Sequence, residues 1–365
     1  MSIIQMLRFD DALFEEALSR IVNRGETAQA EVIDTVRGII EAVRHQGDQA
    51  VIELTKKFDQ LELTPETLEV SDKEMEEAYQ KVTDRDIECL ELAAERVFTF
   101  HEKQKKETWI STEEEDVLVG SKVTPMERVG LYVPGGKAAY PSSVIMCACP
   151  AQVAGVEEIV MAVPMPRGEI NPYVLVAADI CGVDRIFKIG GAQAIAAMAY
   201  GTATVPRVDK IVGPGNIYVA IAKGQVFGQV DIDMIAGPSE ILILNDGSGN
   251  PAHLAADLMS QAEHDEMASS VLVTTSQKMA EKVLGELEKQ LPQLLRKEIT
   301  AKALKNYSAI IVARNMEEAV AFSNRIAPEH LEVSSNDPHT WEPLLRHAGA
   351  IFLGAYTSES LGDYC

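Results

Sequence analysis

The sequence predicts an α/β protein with two units, each built on a parallel-rich sheet, and a helical segment at the N-terminus. In the middle of the chain, short apolar runs alternate with helical segments, and the same rhythm returns after residue 238. Such alternation is typical of parallel strands that are covered by helices. Before residue 107, apolar residues recur at spacings of three and four, which is typical of amphipathic helices.

The N-terminal part of the chain, residues 10–106, is predicted to be almost wholly helical. Asp10 and Thr27 are candidate N-caps, because short polar side chains there can accept hydrogen bonds from the first helical amides. Gly25 and Gly47 are candidate helix ends. These helices need a sheet to cover, and the nearest strands begin only after about residue 107.

The predicted domain division is discontinuous. Residues 1–27 form a helical arm, and residues 28–128 join residues 238–365 in a first α/β domain. Residues 129–237 form a second α/β domain. The strand-like runs behind this division are EIVMAVPM, RIFKIGG and DKIVGPG in the second domain, and ILILND, SVLVTTS, SAIIVAR and AIFLG in the first.

Composition excludes several classes of protein. The chain of 365 residues carries 33 Lys and Arg against 56 Asp and Glu, which gives a formal net charge of −23. Such a surface repels nucleic acid and anionic membranes. No run approaches the roughly 18 apolar residues of a membrane span, and acidic residues come too early in the chain for a secretory signal. We therefore expect a cytoplasmic enzyme.

The cysteines are odd in number and lack a metal-ligand spacing, so a reducing compartment is expected. They are Cys89, Cys147, Cys149, Cys181 and Cys365. Cys147 and Cys149 lie in the apolar run VIMCACP, which favours inert buried thiols. A nucleophile or a metal ligand is the alternative role for either of them.

The dipeptide Glu329-His330, in the segment NRIAPEHL, is a candidate acid-base pair. Histidine is the only side chain whose unperturbed pKa lies near neutrality, and an adjacent glutamate can act on a water molecule. Pro328 ends the preceding helical pattern, so the pair follows a helix directly. The dipeptide alone carries little weight, because most Glu-His pairs are solvated surface residues.

A candidate metal site combines Gln261 and His264 with Asp363. Gln261 and His264 are three residues apart in a predicted helix, so both side chains leave the same helix face. One nitrogen and two oxygen ligands leave coordination positions open, which suits Zn²⁺ or a similar divalent metal that also binds a substrate better than a closed structural site. A solvated polar helix face is the alternative, since several acidic residues surround the pair, namely Glu263, Asp265 and Glu266.

Three glycine turns are candidate parts of a cofactor site, although a complete G-x-G-x-x-G is absent. The turns cover residues 133–136, 190–191 and 213–215, and side chains that could contact a ligand stand beside them, namely Tyr132, Gln193 and Asn216. All three turns meet at one edge if the sheet is doubly wound, and ligands gather at that carboxyl edge. Tight strand-to-helix turns without a ligand are the alternative. The fold class predicted is therefore two incomplete Rossmann-like α/β domains.

From about residue 120 to its end, the chain resembles the histidinol dehydrogenases, which complete histidine biosynthesis. Several blocks carry the resemblance over some two-thirds of the chain: ERVGLYVPGGKAAYPSSV, IGGAQAIAAMAYGT, KIVGPGNIYVAIAKG, DMIAGPSEILIL, DLMSQAEHDE, NRIAPEHLE, AGAIFLG and TSESLGDY.

The resemblance implies two cofactors, NAD and one Zn²⁺ per subunit. The positions at which family members hold NAD are Tyr132, Gln193 and Asn216. The positions that match the protein ligands of zinc are Gln261, His264 and Asp363. A cytoplasmic homodimer with no nucleic-acid or membrane partner is also implied.

The resemblance further implies a four-electron oxidation of L-histidinol, through L-histidinal, to L-histidine. The positions that contact substrate are Ser239, Gln261, His264, His330 and Asp363. His330 takes the alcohol proton in the first oxidation, and Glu329 deprotonates the water that adds to the aldehyde. His330 then accepts a proton from the gem-diol in the second oxidation, while the metal holds the substrate in one geometry.

Family members continue beyond the GDY turn into a dimerisation tail that gives the partner subunit a His ligand and a Glu. This chain ends at Cys365, so we expect weak metal retention, a weakened dimer and little turnover from these 365 residues. Three alternatives stay open. They are an NAD-dependent dehydrogenase of another amino or hydroxy alcohol, a zinc hydrolase that needs no NAD, and a non-catalytic fragment.

Overall fold

The protein is described by a computed structural model that covers residues 3–12, 14–24, 29–113, 116–135, 140–169 and 171–362. Several residues singled out from the sequence lie outside these ranges, namely Gly25, Thr27, Gly136, Asp363 and Cys365. No helix in the described ranges combines the length and the apolar character that crossing a membrane requires.

Strands and helices alternate through most of the described chain. The strands are β1 (Gln5–Arg8), β2 (Trp109–Ser111), β3 (Val119–Ser121), β4 (Arg128–Tyr132), β5 (Glu158–Ala162), β6 (Arg185–Phe187), β7 (Lys210–Val212), β8 (Asp231–Ile232), β9 (Glu240–Asn245), β10 (Ser269–Thr274), β11 (Ala309–Val312), β12 (His330–Ser334) and β13 (Ala350–Leu353). The helices are α1 (Phe14–Val22), α2 (Gln29–Gln46), α3 (Asp48–Asp59), α4 (Asp72–Tyr79), α5 (Asp84–Glu102), α6 (Pro141–Ala154), α7 (Pro172–Ile180), α8 (Gly191–Tyr200), α9 (Ile217–Val226), α10 (Pro251–Ala262), α11 (Gln277–Gln290), α12 (Lys297–Tyr307) and α13 (Met316–Ile326).

The chain forms two compact units, and their boundaries differ from the predicted division. One unit combines the described part of residues 1–28 with residues 237–362, and the other comprises residues 29–236. Residues 28–128 were expected to join the C-terminal part, but the helices of this segment pack on the sheet of the middle part. The reason is that each sheet is covered on both faces within its own unit, as described below.

The unit of residues 29–236, called here the second unit, contains a parallel sheet in the order β6-β5-β4-β7-β8. Helices α2, α3, α8 and α9 share an apolar core with one face of this sheet, and helices α4 to α7 share a core with the other. Strands β5 and β6 lie on one side of β4, whereas β7 and β8 lie on its other side. Strand order therefore reverses between β4 and β7. A doubly wound sheet binds its ligands at such a reversal, at the carboxyl ends of the strands. The predicted Rossmann-like character is confirmed.

The other unit, called here the first unit, contains a parallel sheet in the order β1-β11-β10-β9-β12-β13. Alternate residues of its strands face opposite sides, because side chains in a strand point to the two faces in turn. Ile241 and Ile243 pack with α10, α11 and α12, whereas Leu242 and Leu244 pack with α1 and α13. Strand order reverses between β9 and β12. The sequence of this unit therefore builds a second doubly wound sheet.

Strands β2 and β3 form a separate antiparallel ribbon in the second unit. Several large apolar side chains of this ribbon and its flanks are exposed, namely Trp109, Ile110, Leu118 and Val119. Exposed contiguous apolar groups of this kind mark surfaces that other molecules cover.

Candidate active site

Glu329 and His330 stand where helix α13 gives way to strand β12. The helix ends at Ile326, Ala327 adopts a left-handed conformation with φ of 55°, and Pro328 prevents the helix from continuing. The chain then enters β12 with His330 as its first residue. The predicted position of the pair, directly after a proline-terminated helix, is confirmed.

The backbone of Glu240 holds both members of the pair. Its N–H donates to Glu329 Oε2 at 3.2 Å, and its carbonyl oxygen lies 3.0 Å from His330 Nδ1. If Nδ1 carries the proton, this hydrogen bond leaves the lone pair of His330 on Nε2, which is the arrangement of a general base. Carboxylate oxygens of Glu329 and Glu359 each lie 3.8 Å from His330 Nδ1. Two negative charges beside the ring would stabilise an imidazolium once it has accepted a proton.

Arg24 holds the Pro238-Ser239-Glu240 segment, whose last residue makes these backbone contacts. The guanidinium is 6% exposed and donates to Glu240 Oε1 at 2.9 Å and to the carbonyl oxygen of Pro238 at 2.9 Å. It also donates to the carbonyl oxygen of Met267 at 2.7 Å. The carbonyl oxygen of Ser239 accepts from the amide of Ser269 at 3.0 Å. Arg24 has no sequence signal, because it is one basic residue in an amphipathic helical region.

Gln261 and His264 lie at the end of α10 and fit a divalent cation. Gln261 is 1% exposed, its Nε2 lies 3.3 Å from His264 Nδ1, and its Oε1 is buried without a hydrogen-bond partner among the described residues. A buried carbonyl oxygen without a donor is an available metal ligand. Burial lowers the pKa of His264, and the charges of Arg296 and His330 act in the same direction. A neutral imidazole, the ligand form, is therefore favoured.

The third predicted ligand, Asp363, lies outside the described residues, so the complete ligand set is not described. Within the described ranges, no group of three or more His, Cys, Asp or Glu side chains is arranged to hold a metal ion. The amide and the imidazole are thus the described part of the predicted ligand set.

These groups meet at the amino edge of the first unit's sheet. Ser239 precedes β9, His330 begins β12, and α10 runs back so that Gln261 and His264 arrive at the same edge. The charges of Glu329 and His330 both act on the pKa of His264, so the predicted acid-base pair lies within electrostatic range of this histidine. Ligand sites of doubly wound sheets lie at the carboxyl edge by general rule. The predicted site residues of this unit therefore lie at the strand starts rather than at the strand ends.

A buried carboxyl cluster lies behind His330, and sequence reasoning did not identify it. Glu332, two residues along β12, is 3% exposed, and burial together with the charge of Asp257 raises its pKa to about 9. Burial also raises the pKa of Asp257, which shares a side-chain hydrogen bond with Glu332. Glu332 Oε1 accepts from the amide of Glu359 at 3.0 Å, and Ser260 Oγ lies 3.4 Å from Glu359 Oε1.

The three predicted cofactor residues lie at the carboxyl edge of the second unit's sheet. Tyr132 ends β4, and its hydroxyl accepts from the amide of Gly191 at 3.0 Å. Gln193 is 1% exposed on the first turn of α8, and its Oε1 lies 2.9 Å from where a side chain on Gly191 would begin. Asn216 caps α9, because its Oδ1 accepts from the amides of Tyr218 and Val219. The glycine turns share one edge, as predicted.

A buried ion pair fixes the Gly213-Pro214-Gly215 turn from both sides. Lys223 is 2% exposed, donates to the carbonyl oxygen of Gly213 at 2.8 Å and forms an ion pair with Asp233. Asp233 Oδ2 accepts from the amide of Gly213 at 2.8 Å. Gly213 has φ of 115°, and a side chain there would begin 2.1 Å from the carbonyl oxygen of Tyr132. Only glycine fits, so the turn can lie directly against β4.

Cys147 and Cys149 lie in or against an apolar core of the second unit. Burial raises the pKa of Cys147 to about 12, so the thiol stays protonated at neutral pH. Cys149 Sγ lies 3.8 Å from Cys181 Sγ in the apolar core. Both observations agree with the prediction of inert buried thiols.

Comparisons with known proteins agree with this geometry. Residues 22–365 match the family model described as histidinol dehydrogenase. The chain is 60% identical over 362 residues to the histidinol dehydrogenase of Geobacter sulfurreducens, an alignment that covers 99% of this chain and 84% of that protein. It is 58% identical to the corresponding enzyme of Syntrophotalea carbinolica, with the same coverage of both chains.

A solved structure gives the same result. The crystal structure of histidinol dehydrogenase from Elizabethkingia anophelis superposes with a TM-score of 0.93 at 38% identity, and the match covers 100% of this chain and 83% of that one. The predicted resemblance therefore extends from single motifs to nearly the whole chain, in both sequence identity and fold. The chain belongs to the histidinol dehydrogenase family.

Proposed function

We propose that this protein oxidises L-histidinol to L-histidine in two successive steps, with L-histidinal held between them. The observation that carries this proposal is the backbone of Glu240, whose N–H and carbonyl groups hold Glu329 and His330 side by side, within electrostatic range of His264. Two consecutive oxidations need one base for the substrate hydroxyl and one for water, and this pair supplies both within one site.

The roles of the pair follow from its hydrogen bonds. His330, with its Nδ1 held by a carbonyl oxygen, accepts the hydroxyl proton of the alcohol on Nε2. The side chain of Glu329 is 52% exposed, so water can reach it, and it deprotonates the water that adds to the aldehyde. After Glu329 and His330 have released these protons to solvent, His330 accepts a proton from the resulting gem-diol. Carboxylates of Glu329 and Glu359 stabilise the protonated ring in both steps.

The first unit is proposed to bind the metal and the substrate. Gln261 and His264, with Asp363, would hold one Zn²⁺ per subunit, and the buried unpartnered Oε1 of Gln261 supports this choice. Ser239 would contact the substrate together with those residues and His330. When bound, the cation would orient the substrate for both oxidations, while the proton transfers would belong to Glu329 and His330.

The second unit is proposed to bind NAD at the reversal of strand order between β4 and β7. Tyr132, Gln193 and Asn216 border this edge, and the Gly191 and Gly213 turns let a dinucleotide approach the backbone closely. When bound, NAD supplies the hydride acceptor for each oxidation, and the side chains named here bind and orient it.

A cytoplasmic homodimer completes the proposal. The free thiols Cys149 and Cys181, close together but unbonded, fit a reducing compartment. The exposed apolar residues of the β2–β3 ribbon offer a surface that a second copy could cover.

The test is the formation of NADH from L-histidinol, followed by absorbance with the purified, zinc-loaded protein. Two NADH molecules are expected for each L-histidine formed, and a chelator should reduce the rate. A panel of other amino and hydroxy alcohols tests the substrate. Turnover of histidine derivatives without NAD would support a hydrolase instead, and a preference for another alcohol would overturn the assignment of substrate.

A further inference from the structure

Asp59, the last residue of α3, is partly buried and carries a carboxylate oxygen that has no partner among the described residues. Its Oδ2 is buried and has no hydrogen-bond partner among the described residues. Burial raises the pKa of Asp59, and no donor opposes this effect. Removing an ionisable group from water without a partner is costly, so such groups are rare unless they meet a ligand. One turn earlier on the same helix, Thr55 Oγ1 is also buried without a partner.

The carboxylate lies at the carboxyl edge of the second unit's sheet. Helix α3 covers the face of the sheet that includes Tyr132, and it contacts the turn Pro166–Gly168, which follows the carboxyl end of β5. The negative charge of Asp59 contributes to the raised pKa of Tyr132, so the two side chains are close. The Tyr132 hydroxyl in turn bonds to the glycine turn before α8.

The backbone around Asp59 is held in an uncommon conformation. Gln60, which follows it, has φ of 54° in the left-handed region, which is costly for a residue with a side chain. Leu61 packs toward Gly168, and its Cδ1 lies 3.6 Å from the position that a Cβ atom on Gly168 would occupy. The chain therefore turns sharply after Asp59, close to the turn that follows the carboxyl end of β5.

We propose that Asp59 binds the vicinal hydroxyl groups of an NAD ribose and thereby selects NAD over NADP; this inference rests on the proposed function. A ribose offers two adjacent O–H donors, and a carboxylate offers two acceptor oxygens. Carboxylates in dinucleotide-binding units commonly read a ribose in this way. The 2′-phosphate of NADP would bring a second anion against a buried carboxylate, which is unfavourable.

The test compares the dissociation constants of NAD and NADP for the wild-type protein, Asp59→Asn and Glu62→Gln by titration calorimetry. Glu62→Gln is the matched control, because it also removes one carboxylate from this segment, but Glu62 is exposed and pairs with Lys56. For Asp59→Asn we expect NAD binding to weaken by about tenfold or more, since a charged acceptor of ribose hydroxyls is lost. NADP binding should weaken less or improve, so the ratio of the NADP and NAD dissociation constants falls toward one. Glu62→Gln should match the wild type.

Thermal unfolding without and with NAD separates a ligand role from a structural one. Without nucleotide, Asp59→Asn should unfold at the same or a higher temperature than the wild type, because a partnerless buried charge is removed. The stabilisation that NAD confers should shrink. A variant that binds NAD like the wild type, keeps the same preference over NADP, or is destabilised without nucleotide overturns the inference about Asp59 alone. A wild-type protein that fails to bind NAD overturns the proposed function as well.

Discussion

Replacing Glu332 by Gln tests whether a neutral carboxylic acid lies behind His330. Burial and the charges of Asp257 and Glu359 raise the pKa of Glu332 to about 9, against 4.5 for an unperturbed glutamate. Between these values the folded chain binds one proton more than the unfolded chain. The stability that this proton contributes is complete below pH 4.5 and is lost as pH rises toward about 9. Glu332→Gln has no such proton and keeps an oxygen that can accept from the Glu359 amide.

The magnitude follows from the linkage relation. Where the folded chain binds one proton more than the unfolded chain, the free energy of unfolding falls by about 1.4 kcal/mol for each unit of rising pH. Between pH 6 and pH 8 the variant should therefore gain roughly 2–3 kcal/mol on the wild type.

Urea unfolding at pH 6, 7 and 8 provides the assay. The chain has two tryptophans, and Trp341 reports on the first unit, so measurements in a Trp109→Phe background isolate the unit that contains Glu332. Asp257→Asn serves as the companion variant and should show a smaller pH-dependent gain, since Glu332 would stay buried but lose one negative neighbour. If the stability difference between Glu332→Gln and the wild type is the same at pH 6 and pH 8, Glu332 is not protonated in the folded protein.

Three further predictions test the two proposed binding regions. His330→Asn should slow NADH formation from both L-histidinol and L-histidinal by about 10²–10⁴-fold, whereas Glu329→Gln should impair the L-histidinal step far more; equal losses with both substrates for Glu329→Gln would contradict the assigned roles. Gln261→Leu should weaken zinc affinity, measured by chelator competition, by about tenfold or more. It should not lower the urea midpoint of unfolding, because a buried oxygen without a partner among the described residues is removed; unchanged zinc affinity argues against Gln261 as a ligand. Lys223→Met should destabilise the second unit by about 1–3 kcal/mol and weaken NAD binding, because the Gly213 turn loses the hydrogen bond and ion pair of Lys223. Adding Asp233→Asn should recover stability, and unchanged NAD affinity in the single and the double variant would contradict a positioning role for Lys223.

Much of the architecture could be predicted from local sequence. Alternating apolar runs and helical segments indicate parallel sheets, because strands buried on both faces need continuous apolar residues. Glu329-His330 after a proline, and Gln261 three residues before His264, were recognisable because chain neighbours stay neighbours in any fold. The glycine turns beside Tyr132, Gln193 and Asn216 could be assigned to one edge, since parallel strands all end on the same side.

Contacts between distant segments decided the rest. Residues 29–128 have the amphipathic pattern of helices that cover a sheet, but that pattern does not state which sheet, and packing against α6 to α9 settles it. The amino-edge position of His330 and His264 depends on where α10 and β12 meet in space. Arg24, Glu332 and Asp59 look like ordinary charged residues in the sequence. Their burial and their partners, or the lack of one, arise only after residues far apart in the chain have packed together.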